Sequence, residues 1–419
     1  MTEPAGDPLR ATPFGPTMFS ADIRGVAARA LVAEFARLPG PKTALVVGGT
    51  AGSAVLIAAV DALTPDDSLT VVAGVATEEV RARVAALGPW VQQRVRVVEA
   101  LVDAEAADAV ILAELVAGTA DAVKARLDEL AKLLNPGGVL AAATPAAPFL
   151  AGEAGTELDR QSVLFGVGAD LVLRNVPPVR VHRLRYTPAE VALAERLAPL
   201  GRTSSVTLTP DMHIDSNGVA AAAICLGTAA LLRRAGSRRL WLAPLLAAGP
   251  VTAFFRDPER VVPEDPGAVV AASDGTVLGV ERLRDERLGD GEFLRVAVFL
   301  SVLDVHVNRA PAAGRVVDYF VADGGYAPAM KSAAEHNVAA YTLLDTARGR
   351  VAVAQRTGLI ARRIVHRAPV GSLLARGERF GLIRFGSRTD VYLPADAATA
   401  AVAPGEKVRG GETTIARWV

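Results

Sequence analysis

The pattern of hydrophobic and polar positions changes near residue 190. Before that point, short apolar runs alternate with stretches that have the spacing of amphipathic helices. The apolar runs are residues 44–47, 69–73, 95–98, 109–112 and 138–143, and the helical stretches are residues 22–37, 51–62, 78–87 and 119–134. Strands that alternate with helices of this kind predict a parallel, doubly wound α/β sheet of the Rossmann-like type.

After residue 256 the pattern is typical of a mostly β domain. Short β-branched runs are separated by turns rich in Gly, Asp and Pro, and they lie at residues 268–271, 294–301, 315–320, 350–354 and 390–393. Between the two patterns are a predicted helix at 188–197 and two apolar stretches, 219–232 and 240–255. We therefore predict a Rossmann-like domain over residues 1–190, an apolar, helical linker over 191–255 and a β-rich domain over 256–419.

Composition and charge narrow the possible functions. A chain of 419 residues suggests two domains, and 45 basic residues against 45 acidic ones give no reason to expect nucleic acid as a partner. The single Cys225 excludes an internal disulfide, and the five His residues lack metal-ligand spacing, so no metal site is predicted. The first residues do not form a signal peptide, which indicates a cytoplasmic protein.

The strongest candidate for chemistry is the Gly386–Ser387 bond within Arg384-Phe385-Gly386-Ser387-Arg388-Thr389. If the Ser387 hydroxyl attacks the Gly386 carbonyl, the amide becomes an ester, and elimination and hydrolysis then leave a pyruvoyl group at residue 387. Such an attack needs a base, and His is the usual base near neutral pH. His306 follows a strongly apolar strand and is the best placed candidate. A Gly-Ser pair alone usually marks a turn, so its surroundings decide the interpretation.

Several blocks of the second half, in their order along the chain, resemble the short bacterial and archaeal form of the phosphatidylserine decarboxylase family. The blocks are residues 254–260, 272–277, 299–311, 358–365, 376–381 and 384–388. The resemblance covers about residues 205–419. It implies a pyruvoyl cofactor made from Ser387, cleavage into chains 1–386 and 387–419, and conversion of phosphatidylserine to phosphatidylethanolamine with release of CO₂.

The same resemblance implies roles for individual residues. Asp274, in a Ser-Asp-Gly turn, would orient the His306 imidazole and complete a Ser-His-Asp arrangement with Ser387. Gly386 would give the cleaved bond its tight conformation. Longer members of the family have a second His at the position of Arg309, so His306 is expected to serve both cleavage and decarboxylation.

We expect three residues to bind substrate. Arg388 would hold a carboxylate or phosphate by paired hydrogen bonds, and Asn308 and Arg309 are further candidates. Residues 402–416 resemble the turn-rich strands of a lipoyl-carrier-like barrel. No Lys there lies in a lipoylation or biotinylation motif, so these strands are predicted to be scaffold.

A phospholipid substrate requires access to a bilayer. Each of the apolar stretches 219–232 and 240–255 is shorter than the roughly 20 residues that a spanning helix needs, and Pro244 and Pro250 interrupt the second. We expect them to lie in the interface at the inner face of the cell membrane, with Arg233, Arg234, Arg238 and Arg239 toward anionic headgroups. The alternative is a helical pair buried in the core or in a dimer contact, and a homo-oligomer is left open.

The first domain contains a glycine loop after its first strand, Val46-Val47-Gly48-Gly49-Thr50-Ala51-Gly52. With a later Asn-Pro-Gly-Gly turn, it resembles class I methyltransferases dependent on S-adenosylmethionine, and Gly48 and Gly52 match their cofactor-binding glycines. The acidic residues expected at Val46 and Gly74 are absent. A degenerate docking or regulatory domain is therefore favoured over a working methyltransferase.

Two alternatives to a phospholipid decarboxylase remain at this point. The same pyruvoyl chemistry would serve a soluble or carrier-bound amino acid, with the fused domain methylating a related intermediate. A different class is an unprocessed binding protein that keeps the fold without the chemistry.

Overall fold

The computed structural model describes residues 22–200, 205–209, 211–359, 363–384 and 387–419. The chain divides into two compact units, Met1–Glu190 with Arg196–Thr203 and Val191–Glu195 with Ser204–Val419. Each unit has its own hydrophobic core.

The first unit is a doubly wound α/β sheet. Its strands are β1 (Thr43–Val47), β2 (Ser68–Val72), β3 (Val95–Val98), β4 (Ala107–Leu115), β5 (Leu134–Pro145), β6 (Gly166–Val172) and β7 (Val179–Leu184). Its helices are α1 (Gly25–Arg37), α2 (Ala54–Asp61), α3 (Thr77–Ala86), α4 (Pro89–Gln92), α5 (Ala120–Ala131) and α6 (Pro148–Phe165). The strand order is β3-β2-β1-β4-β5-β7-β6, and β7 runs antiparallel to β5 and β6.

The central strands of this sheet are apolar because both of their faces are covered. Val46 on β1 packs into one core cluster, and its neighbour Leu45 packs into the other. Parallel sheets covered on both faces read as continuous apolar runs, which is why the sequence located β1 to β5. Helix α6 and the hairpin β6–β7 were not predicted. The strand β6 alternates buried and exposed positions at the sheet edge, so it lacks a continuous apolar run.

The second unit is mostly β and begins with helical segments. Its helices are α7 (Val191–Arg196), which the chain division splits between the units, α8 (Ser216–Arg234) and α9 (Leu242–Phe254). Its strands are β8 (Ser205–Thr209), β9 (Met212–Asp215), β10 (Arg256–Pro258), β11 (Ala268–Val270), β12 (Gly275–Arg284), β13 (Glu292–Leu300), β14 (Val307–Arg309), β15 (Gly314–Ala322), β16 (Ala339–Thr346), β17 (Gly349–Arg356), β18 (Ile364–His366), β19 (Leu373–Leu374), β20 (Arg379–Ile383), β21 (Ser387–Pro394), β22 (Ala398–Ala400), β23 (Lys407–Val408) and β24 (Thr414–Trp418).

One large sheet organises this unit, with the strand order β19-β15-β16-β17-β21-β13-β12-β23. Three smaller sheets have the orders β10-β9-β8, β11-β24-β22 and β14-β20-β18. The fold class predicted from sequence, a doubly wound domain followed by a β-rich domain, is confirmed.

Helices α8 and α9 form a hairpin, and both differ from the predicted apolar stretches. Helix α8 begins earlier, at Ser216, because the Asp215 carboxylate accepts a hydrogen bond from the Asn217 N–H at 2.9 Å and caps the helix. Helix α9 continues past both prolines. Pro244 lies in its first turn, where a missing N–H costs nothing, and Pro250 lies inside the helix.

Candidate active site

Strand β21 begins at the predicted nucleophile. It lies between β13 and β17, with Ser387 opposite Leu300 and Thr389 opposite Gln355. Because side chains alternate along a strand, Ser387 and Thr389 share one face of β21, whereas Arg388 and Asp390 share the other. The predicted cleavage partner Gly386 lies outside the described residues.

The Ser387 hydroxyl is fully buried and has no hydrogen-bond partner among the described residues. Buried polar atoms are nearly always paired, because an unpaired one costs roughly 1–3 kcal/mol. The Ser387 hydroxyl, which would supply the pyruvoyl group, is such an exception. A hydroxyl without a hydrogen-bond partner is available to react, and so the site is compatible with that group.

Ser387 belongs to what we call the buried polar cluster, whose side chains all have 0% exposure. Its members are Ser273, Asn308, Gln355, Ser387 and Thr389. The Ser273 and Thr389 hydroxyls lie 2.5 Å apart, and the Gln355 amide Nε2–H donates to Asn308 Oδ1 at 2.6 Å. The cluster therefore places Asn308, a predicted substrate-binding residue, near the face of β21 that carries Ser387. It also contains Gln355, which the sequence did not reveal.

His306 lies in the connection between β13 and β14. In this turn, the Ser301 N–H and hydroxyl donate to the Asp304 carboxylate at 2.8 and 2.7 Å. The His306 Nδ1 lies 2.9 Å from the Asp304 main-chain carbonyl. A carbonyl only accepts, so Nδ1 carries the proton, and Nε2 of the neutral ring carries the lone pair that a base needs.

The surroundings of His306 keep it neutral. The residue is 2% exposed, and its ring centroid lies 4.3 Å from that of Phe254 at the end of α9. Burial disfavours the imidazolium and lowers the pKa of His306 to about 4, against the opposing effect of Asp304. The imidazole is therefore in its basic form at neutral pH.

The sheet connections place His306 and Ser387 at the same end of the unit. The His306 carbonyl accepts a hydrogen bond from the Ile383 N–H at 3.2 Å, four residues before Ser387. Leu300, six residues before His306, pairs with Ser387. The start of β21 at Ser387 thus lies at the same end of the unit as His306, because β13 pairs with β21 and β20 hydrogen-bonds to the His306 main chain.

Asp274 is not brought to His306. Its carboxylate accepts hydrogen bonds from the Arg260 guanidinium at 2.7 Å and from the Gly410 N–H at 2.8 Å. Burial raises its pKa even though Arg260 opposes the shift. Asp274 and His306 share no hydrogen bond in the part of the chain that the structure describes. The Ser-His-Asp arrangement expected from sequence therefore has the Asp304 carbonyl in the orienting position.

Two of the expected substrate-binding residues, Arg388 and Arg309, contact protein groups in the structure, and their role in substrate binding stays a prediction. Arg388 points to the face of β21 opposite Ser387, where its Nε–H donates to Asp390 Oδ1 at 2.6 Å. Arg309 is buried and donates to the Asp257 carboxylate at 3.1 Å and to the Gly377 carbonyl at 3.0 Å. The Arg309 guanidinium links β14 to β10, whereas the Arg388 guanidinium pairs with Asp390 of its own strand.

Under β21 lies a buried ionic network centred on Asp390. Its carboxylate accepts from Arg356 at 2.7 Å as well as from Arg388, and Arg356 also donates to the hydroxyls of Tyr341 and Tyr392 at 2.9 and 3.0 Å. Burial alone would raise the pKa of Asp390, but Arg356 and Arg388 outweigh it and lower that pKa. This network fixes the strand that carries Ser387.

We expect Asp390→Asn to lower the free energy of unfolding by about 3–5 kcal/mol, because it leaves buried arginine charge without compensation. Urea unfolding of the second unit measures the loss. The matched control is Asp345→Asn, since Asp345 is 35% exposed and lies 3.5 Å from Arg350, and exposed pairs contribute about 1 kcal/mol or less. Equal effects of the two substitutions would contradict a special role for the network.

Comparison with known proteins identifies the family to which the second half of the chain is similar. The family model of phosphatidylserine decarboxylase matches residues 248–416. A phosphatidylserine decarboxylase proenzyme of Geobacter sulfurreducens is 45% identical over 186 residues, which are 42% of this chain and 84% of that protein. The proenzyme of Erythrobacter litoralis is 40% identical over 233 residues, which are 52% of this chain and 92% of that protein. The chain belongs to the phosphatidylserine decarboxylase family.

Solved structures similar to this chain are methyltransferases. An O-methyltransferase of Streptomyces achromogenes involved in tomaymycin synthesis is 18% identical and covers 38% of this chain and 79% of its own, with a TM-score of 0.28. A SAM-dependent O-methyltransferase of Thermotoga maritima is 14% identical and covers 41% and 70%, with a TM-score of 0.31. Both scores are below 0.5, so the fold of the first unit rests on its strand order.

Proposed function

We propose that this chain is a self-processing decarboxylase that converts phosphatidylserine to phosphatidylethanolamine and CO₂. The observation that carries the proposal is the buried, unpartnered hydroxyl of Ser387 in a chain that belongs to the phosphatidylserine decarboxylase family. The named relatives favour a phospholipid over a soluble amino acid as substrate.

In this proposal Ser387 and His306 divide the work of cleavage. Ser387 attacks the Gly386 carbonyl, and the lone pair on His306 Nε2 accepts the hydroxyl proton. The pyruvoyl group so formed would supply an electron sink for loss of the substrate carboxylate. His306 would then return a proton to the substrate α-carbon. Phe254 and the surrounding strands exclude water from the imidazole.

Denaturing mass spectrometry of the purified protein tests the proposal. Cleavage replaces the 43.4 kDa chain by residues 1–386 and a small chain whose blocked first residue is 387. Phosphatidylserine in liposomes, compared with free serine and serine phosphate esters, tests the substrate class. An intact chain without a carbonyl that reacts with hydroxylamine would refute the enzyme assignment.

We also propose that the α8–α9 hairpin docks on the membrane surface. Only 11% of the apolar window in α8 is buried, and this helix is also long enough to cross a bilayer. Large apolar side chains lie exposed on both helices and on the turn between them, namely Ile224, Leu226, Leu231, Leu240, Leu245 and Leu246. Arg233, Arg234, Arg238 and Arg239 are exposed beside them. Apolar and basic groups together fit the interface of anionic lipid.

The hairpin is connected to the active site at both ends. Near the start of α8, the Asn217 side-chain oxygen accepts a hydrogen bond from Arg384, which precedes the cleavage site by two residues. At the end of α9, Phe254 contacts the His306 ring. A lipid headgroup held at the hairpin would therefore be close to His306 and to Arg384.

The double substitution Leu231→Glu with Leu246→Glu should weaken co-sedimentation with phosphatidylglycerol-containing vesicles by about tenfold or more, since each buried Leu contributes about 1.5–3 kcal/mol. The matched control is Leu171→Glu with Leu173→Glu, two exposed leucines of the first unit. Equal vesicle binding by both double variants would show that the exposed leucines of the hairpin do not contact the membrane.

For the first unit we propose a docking or regulatory role without methyl transfer. Gly48 has a φ of +83°, and a Cβ there would meet the Glu114 side chain at 3.2 Å, so this glycine is required by the fold. A Cβ at Gly52 would meet nothing within 4 Å. Burial raises the pKa of Glu114. Gly74 lies after β2, where the methyltransferases that this domain resembles have an acidic residue for the ribose hydroxyls. Titration with S-adenosylmethionine tests the proposal, and binding would contradict a degenerate domain.

We retain the three-part organisation as a proposal. Residues 1–190 would form the methyltransferase-like domain, 191–255 the docking segment and 256–419 the decarboxylase-like domain. The family model begins at residue 248, within α9, which supports treating the end of the hairpin as part of the decarboxylase.

A further inference from the structure

Two amide atoms in the buried polar cluster lack hydrogen-bond partners within the part of the chain that the structure describes. After Gln355 Nε2–H donates to Asn308 Oδ1, the Asn308 Nδ2 and the Gln355 Oε1 remain unpartnered. Both residues are fully buried, so water does not satisfy these atoms at the surface. Together with the Ser387 hydroxyl, three unpartnered polar atoms lie in one cluster.

The number of unpartnered amide atoms does not depend on how the two amides are oriented. If both amides are turned over, Asn308 donates to Gln355, and one NH₂ group and one carbonyl oxygen are still left over. In either orientation the pair offers a donor and an acceptor to a third group. The pair is also held tightly, because a Cβ at Gly381 would lie 3.1 Å from Gln355 Nε2.

The pair lies next to the position where the substrate reacts. Gln355 is directly opposite Thr389, so it is the diagonal neighbour of Ser387 on the same face of the sheet. An α-amino acid headgroup has the complementary chemistry, since its carboxylate accepts hydrogen bonds and its amine nitrogen donates them. A phosphate group would satisfy only the donor.

We propose that Gln355, with Asn308, forms the recognition site for the serine headgroup, binding its carboxylate through the spare NH₂ group and its amine nitrogen through the spare oxygen. This inference rests on the proposed function. Phosphatidylethanolamine lacks the carboxylate and makes one of the two interactions. The pair therefore distinguishes substrate from product and favours product release.

The test uses the cleaved enzyme after reduction with borohydride, which removes the reactive carbonyl and so permits binding without turnover. Titration calorimetry with short-chain phosphatidylserine and phosphatidylethanolamine gives the two affinities. We expect Gln355→Met to weaken phosphatidylserine binding about 10- to 100-fold, the size of a lost hydrogen bond to a charged group. Phosphatidylethanolamine binding should weaken less. Gln161→Met, which changes a buried glutamine of the first unit that also has an unpartnered oxygen, is the matched control.

A double variant separates recognition from packing. Gln355→Met leaves Asn308 without its partner, whereas Asn308→Leu with Gln355→Met replaces both amides by apolar groups and should restore thermal stability. Recognition requires that headgroup binding stays weak in the double variant. If affinity for phosphatidylserine returns together with stability, the pair is structural and the proposal is overturned.

Measuring cleavage together with lipid binding separates a failure of this inference from a failure of the proposed function. If the wild-type chain itself remains intact, the decarboxylase proposal fails. If the wild type is cleaved and Gln355→Met is not, the amide pair serves maturation, and headgroup recognition is overturned. Equal loss of affinity for both lipids in Gln355→Met would likewise refute recognition of the carboxylate.

Discussion

Ser387→Ala is expected to remain a single 43.4 kDa species with no decarboxylase activity and no carbonyl that reacts with hydroxylamine. The methyl group cannot attack the preceding carbonyl, and no hydroxyl is left from which a keto group could form. The loss should be complete within detection, in contrast to the partial losses expected of substitutions at supporting residues. Denaturing mass spectrometry of freshly purified protein measures the cleaved fraction.

Stability provides the second part of this prediction. In the uncleaved precursor the Ser387 hydroxyl is buried without a hydrogen-bond partner among the described residues, so relative to that precursor its removal should leave the free energy of unfolding unchanged or raise it by about 1 kcal/mol. Ser372→Ala is the control, since the buried Ser372 hydroxyl donates to the Pro369 carbonyl at 2.6 Å. That variant should be cleaved normally and be less stable. Cleavage of Ser387→Ala at the same bond would contradict the mechanism.

The sequence was most informative where burial dictates an apolar pattern. Strand β3, at the edge of the first sheet, was predicted with the observed bounds, Val95–Val98, and β1, β2, β4 and β5 were predicted within a few residues of theirs. The central strands β1 and β4 are buried on both faces, so most of their residues have to be apolar. The hairpin β6–β7 escaped prediction because it has no continuous apolar run: Asp170 interrupts β6, and Arg180, His182 and Arg183 interrupt β7.

A nucleophile and a base could be predicted from sequence because their chemistry restricts the residue type, and both roles stay predictions. The orienting partner of His306 could not be identified, since the acceptor is a main-chain carbonyl that any residue at position 304 would offer. Asp274 was expected there because the resemblance to the decarboxylase family pointed to it. In the structure Asp274 instead pairs with Arg260, fourteen residues before it.

Side-chain direction explains the remaining differences. Arg388 is adjacent to Ser387 in sequence but lies on the other face of β21, and that is decided by strand pairing, which a motif does not contain. Gln355 is 32 residues before Ser387, and only the register of β17 against β21 places it beside the reacting residue. Residues that meet across strands have no local signal in a single sequence.

His306→Gln is expected to slow cleavage by about 10² to 10⁴-fold, the usual contribution of a positioned general base. The glutamine side chain retains hydrogen-bonding groups but cannot accept the Ser387 proton. Since burial holds the pKa of His306 at about 4, the wild-type rate should stay nearly constant from pH 8 down to pH 5 and fall only near pH 4. Following conversion to the two chains over time measures both effects.

The matched control for this substitution is His182→Gln. His182 is 1% exposed in the first unit, and burial lowers its pKa to about 4 as well. A histidine with a folded-state pKa below its unfolded value of about 6.5 contributes stability above pH 6.5 that is lost as the pH falls toward 4, up to about 3 kcal/mol per residue. Each substitution should therefore reduce the acid sensitivity of its own unit, but only His306→Gln should impair cleavage. Normal cleavage of His306→Gln at neutral pH would exclude this imidazole as the base. His306 would then behave like His182, a buried histidine whose substitution leaves cleavage unchanged.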